Sequence, residues 1–121
     1  MVNAMEQTEG KTTIAPDVLL TIARLTTLKV PGVSRVWQLP TASVKKLLNK
    51  GHVGEGVVIQ IIDDVVYADI YVVLKSDVNV RDVSYKIQVQ VTRAISEMVG
   101  MNVGSVNIHV EDIDFPEEAE A

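Results

Sequence analysis

Residues 57–74 read VVIQIIDDVVYADIYVVL, two β-branched runs separated by Asp63-Asp64. Val57 to Ile62 and Val65 to Leu74 have the composition of strands, and the two short carboxylates between them supply turn chemistry. The pair reads as a β-hairpin. In its second run Val66, Ala68, Ile70, Val72 and Leu74 alternate with Tyr67, Asp69 and Tyr71. Successive strand side chains point to opposite faces, so one face is apolar and the other carries rings and a carboxylate. The same stretch is the most apolar in the chain, and Asp63, Asp64 and Asp69 rule it out as a membrane span.

An apolar sheet face needs covering, and two segments have the period to do so. Pro16 suits a first helical position, Asp17 suits the positive helix N-terminus, and Val18, Leu19, Ile22 and Leu25 fall on one face. That helix ends near Lys29, before Val30-Pro31-Gly32. Asn79 is a good N-cap for a longer helix. Val80, Val83, Ile87, Val91, Ala94, Ile95 and Met98 follow at steps of three and four until Gly100 stops it.

Further strands are expected at Lys11 to Ile14 on an edge, at Val33 to Leu39 before Pro40, and at Val103 to Val110. In the last, Val106, Ile108 and Val110 point inward, and Asn107 and His109 outward. Thr41 or Ser43 is the cap of a short surface helix through Leu47 and Leu48, with an ordered loop as the alternative, and Gly51, Gly54 and Gly56 make a flexible approach to the hairpin. The fold class is α+β: a single mixed sheet with two main helices packed on one face, in the order β-α-β-(short α)-β-β-α-β. One domain over 11–116 is expected, between a disordered leader (1–10) and an acidic tail (117–121).

Composition limits the chemistry. The 121 residues contain no Cys, which excludes disulfides, thiolate metal sites and a Cys nucleophile; 22 Val and 10 Ile favour sheet. The polar N-terminus carries no export signal, so a cytoplasmic location is expected. The net charge of −5 is unevenly placed. Residues 111–121 hold six acidic groups and no basic one. Residues 18–54 hold Arg24, Lys29, Arg35, Lys45, Lys46 and Lys50 with no carboxylate. Arg35, Lys45, Lys46 and Lys50 are therefore a candidate basic patch for an anionic surface, with solvated surface positions as the plainer account.

No catalytic constellation is legible. His52 and His109 are the two imidazoles, and neither lies in a nucleophile elbow or triad context. Asp69 and His109 share the outer face if their strands are neighbours, but two ligands do not make a metal site. The Gly51-His52-Val53-Gly54 run is a weak G-x-x-G signal, and low aromatic content with an acidic total argues against nucleic acid. The outer-face set Tyr67, Asp69, Tyr71, Asn107 and His109 is the candidate interaction surface. No cofactor motif is present.

Several segments taken in order carry a resemblance: Ile14-Ala15-Pro16-Asp17-Val18 with Ile22-Ala23, Pro31-Gly32-Val33, Gly56-Val57-Val58-Ile59, and Ala68-Asp69-Ile70-Tyr71-Val72-Val73. Ile87-Gln88, Met98-Val99-Gly100-Met101 and above all Val103 through Phe115 complete it. Together they resemble the alkaline shock protein family, envelope stress response proteins of mainly Gram-positive bacteria. The resemblance implies a small cytoplasmic, non-catalytic scaffold that self-associates as a homo-oligomer, supports cell-envelope homeostasis and is held at the membrane by a separate integral-membrane partner. It supplies no catalytic residues. The alternative is a regulatory module that docks on an enzyme or anionic surface through the basic 24–50 stretch.

Overall fold

The computed structural model describes residue 10 and residues 12–40, 44–46 and 51–116. The expected leader and acidic tail, Lys11 and Lys50 lie largely or wholly outside them. Helix α1 spans Pro16–Lys29 and helix α2 Val80–Val99. The strands are β1 (Val33–Val36), β2 (His52–Gly54), β3 (Val57–Ile62), β4 (Val65–Lys75) and β5 (Asn102–Asp114).

Strand β4 organises the sheet. Along one edge it pairs antiparallel with β3 through its first half and with β1 through its second; β2 extends the sheet beyond β3. Along the other edge it pairs in parallel with β5 over its whole length. The crossover from β4 to β5 is α2, as a parallel neighbour requires. The sheet is therefore mixed, and the class expected from the sequence holds.

The hairpin turns on Asp63 and Asp64, with φ of 51° and 64°. Two consecutive positive φ values make the two-residue turn whose twist matches flanking strands, and Asp tolerates them better than most residues. Both helices pack on the face bearing Val66, Ala68, Ile70, Val72 and Leu74, all fully buried. Asn79 accepts from the Asp82 N–H at 3.1 Å to start α2, and Gly100 ends it at φ 78°.

Several expectations need correction. Residues 12–14 form no strand, so α1 is the first element of the described chain. The strand expected to reach Leu39 ends at Val36, while β5 runs on four residues past Val110. The Gly51–Gly56 region is the short strand β2 and a tight turn into β3. Gly56 sits at φ 69°, and a Cβ there would lie 2.8 Å from Val36 Cβ. Finally, α1 is rotated from the expected phase: Leu19, Leu20, Ala23 and Thr27 are buried, whereas Val18 and Leu25 are 44% and 45% exposed. Ala23 and Thr27 are small enough for close approach to the sheet. Thr27 Oγ1 donates to the Ala23 carbonyl at 2.7 Å, which removes the penalty of burying a hydroxyl. In α2, Val83, Ile87, Val91 and Ile95 are buried, but Val80 and Met98 at its ends are exposed.

Candidate functional site

The face of the sheet away from the helices carries the candidate interaction residues, and the β4–β5 register brings them together. Asp69 pairs with Asn107, Tyr71 with His109, and Tyr67 with Ser105. Partners across a parallel ladder share a face, so residues far apart in sequence become neighbours. Asp69 Oδ1 accepts from Asn107 Nδ2 at 3.2 Å and lies 2.9 Å from His109 Nε2. The imidazole stacks on Tyr71, with ring centroids 4.5 Å apart and planes 14° from parallel.

The carboxylate accepts only, so Nε2 of His109 carries the proton of that bond and Nδ1 is left for other partners. Burial pushes the Tyr71 phenol above its ordinary value, with the Asp69 and Glu111 charges adding to the shift. His109 and Asp69 side chains remain 40% and 34% exposed. The result is a half-exposed platform of two stacked rings, with the imidazole bonded to a carboxylate. Among the described residues no group of three His, Cys, Asp or Glu side chains is placed to hold a metal ion. The same face also holds two buried valines outside the main core, Val58 and Val73.

The basic candidates fare differently. Arg35 is drawn to Asp114, its Nε 3.3 Å from Oδ2. Ser34 Oγ donates to the same oxygen, and these two donors hold the Asp114 carboxyl below the ordinary carboxylate range. Arg24 Nε is 3.7 Å from Glu55. Lys45 and Lys46 are exposed within the helical residues 44–46, and Lys50 lies outside the described residues. Sequence reasoning missed the pairing of these arginines because their carboxylates come from distant segments. The Asp112-Ile113-Asp114 alternation was the available signal that β5 reaches Asp114.

The model of the alkaline shock protein 23 family, described as having a "cell envelope-related function", matches residues 4–115. The chain belongs to the alkaline shock protein family. This is the family that the ordered segments pointed to. Its relatives include the uncharacterized protein Spy1535 of Streptococcus pyogenes, 39% identical over 105 residues, covering 86% of this chain and 79% of the relative. YqhY of Bacillus subtilis, also uncharacterized, is 28% identical over 111 residues, covering 92% and 82%. Among solved structures the fold is similar to the MamM CTD, with a TM-score of 0.51 at 13% identity over 81% of this chain and 99% of that one. A copper form of the same domain aligns with a TM-score of 0.52 at 12% identity, over 83% and 100%. At these identities the likeness is one of fold. No helix among the described residues is long and apolar enough to cross a membrane.

Proposed function

We propose that this protein is a non-catalytic, self-associating component of cell-envelope homeostasis, acting from the cytoplasm as a stress-response scaffold. On this reading a separate integral-membrane protein recruits it to the inner face of the membrane. The observation that carries the reading is the Tyr71–His109 stack held by Asp69 on a half-exposed sheet face. Fixed amphipathic rings offer contact area at little entropic cost, as interfaces favour. Family membership supplies the envelope context.

The alternative, docking on an anionic surface through the basic stretch, has less to rest on. Arg24 and Arg35 are already paired with carboxylates, which leaves Lys29, Lys45 and Lys46 among its described cations.

Sedimentation velocity across protein concentration and salt tests the proposal. Concentration-dependent oligomers are expected, and Tyr71→Glu should weaken them by placing an unpaired charge in the contact. A monomer at every accessible concentration would overturn self-association.

A further inference from the structure

Strand β5 is 13 residues long and pairs with β4 alone among the described residues, so its far side is an edge. The direction of each backbone group on it follows from β4. Tyr71 donates its N–H to the Gly56 carbonyl and accepts from the Trp37 N–H, both at 2.8 Å, so its groups point away from β5. Alternation then aims the groups of Ala68, Ile70 and Val72 at β5. In a parallel ladder their partners Val106, Ile108 and Val110 must aim their own N–H and C=O groups at the free edge.

Two contacts agree with this and show where the edge is already blocked. Gln88 Nε2 donates to the Val106 carbonyl at 3.0 Å, and the Ile113 N–H donates to Asp112 Oδ1 at 2.8 Å. Register shifts fall at both ends of the same stretch, between Val66 and Tyr67 and between Val72 and Val73. Side-chain caps and bulges are the means by which sheets blunt their edges. Between the caps, Ile108 and Val110 have two N–H and two C=O groups without a hydrogen-bond partner among the described residues. No Lys or Pro lies within β5 to protect them.

We infer that a second copy of this chain pairs antiparallel with this edge over Ile108–Val110, about a two-fold axis at His109. The inference rests on the self-association reading and names its seam. Ile108 of one copy exchanges both hydrogen bonds with Val110 of the other, and the reciprocal pair completes the set. The acidic end of each strand (Glu111, Asp112, Asp114) then runs beside the uncharged start of its partner, whereas parallel pairing would align the carboxylates. His109 faces its symmetry mate at a non-hydrogen-bonded position, with Cα atoms about 4.5 Å apart. The Tyr71–His109 platforms of the two copies join across the seam into one surface.

The absence of Cys makes the register directly testable. His109→Cys should form an intermolecular disulfide under mild oxidation, since about 4.5 Å between Cα atoms is within disulfide reach. Asn107→Cys should not, because its symmetry mate lies roughly 13 Å away along the strands. In the unmodified protein, amide exchange at Ile108 and Val110 should slow about tenfold or more as concentration rises. Val110→Pro removes an edge donor without touching the β4 ladder, and should lower the dimer fraction with the circular dichroism spectrum retained. A His109→Cys variant that still forms oligomers in sedimentation yet shows no cross-link, together with no concentration dependence of exchange in the unmodified protein, would overturn this seam and leave self-association standing. Protection of these amides at all concentrations would place another segment of the same chain on the edge and also overturn it. A monomer throughout would remove both readings.

Discussion

His109 Nε2 lies 2.9 Å from Asp69 Oδ1, across adjacent parallel strands. Both side chains are exposed over a third or more of their surface, so the bond adds little to stability: even a fully charged pair at such exposure is worth about 0 to 1 kcal/mol. Asp69→Ala should therefore lower stability in a denaturant titration by less than about 1 kcal/mol. The same change releases the imidazole from its fixed position and should weaken self-association. A variant that unfolds instead would show that the bond is a fold determinant and not an organiser of the surface.

The long helix offers a sharper stability test. Ile87 is fully buried and Lys86 exposed, one residue apart. Ile87→Ala should cost about 2 to 5 kcal/mol in chemical denaturation through the cavity it leaves. Lys86→Ala should cost less than about 0.5 kcal/mol. Equal midpoints would contradict the placement of this face.

Gly56 carries a conformation that other residues resist. It sits at φ 69°, and an added Cβ would lie 2.8 Å from Val36 Cβ and 2.9 Å from the Trp37 carbonyl oxygen. Gly56→Ala should destabilise by at least about 1 kcal/mol, measured by thermal melting. Gly100→Ala meets nothing within 4 Å and keeps only the strain of its positive φ, so its cost should be smaller.

Tyr71 predicts an alkaline sensitivity. Its pKa is raised from the ordinary 10.0, first by burial and then by Asp69 and Glu111. The unfolded chain releases that proton more readily than the folded one. The associated stability is thus fully present below the ordinary value and lost as pH rises through the raised one. Melting curves from neutral pH to beyond that point should fall less steeply for Tyr71→Phe than for the unmodified protein. Identical slopes would show that the phenol is not the group responsible.

The alternation from Val65 to Leu74 and the step of four from Val83 to Ile95 were enough to specify the hairpin, the long helix and the buried face of each. Those are local properties: a side-chain period of two or about 3.6 residues is written in consecutive positions. The same reading placed Tyr67, Asp69, Tyr71, Asn107 and His109 on outward positions of their strands. It missed the phase of α1, because hydropathy ranks Leu25 above Thr27, whereas close packing on the sheet selects the smaller side chain once its hydroxyl has found the Ala23 carbonyl. Tertiary structure alone decided that β5 lies parallel to β4 in the register that puts His109 beside Tyr71 and within reach of Asp69. It also decided that Arg35 meets Asp114. Contacts between residues 38 to 80 positions apart depend on which strands become neighbours and where their bulges fall, and no local period encodes that.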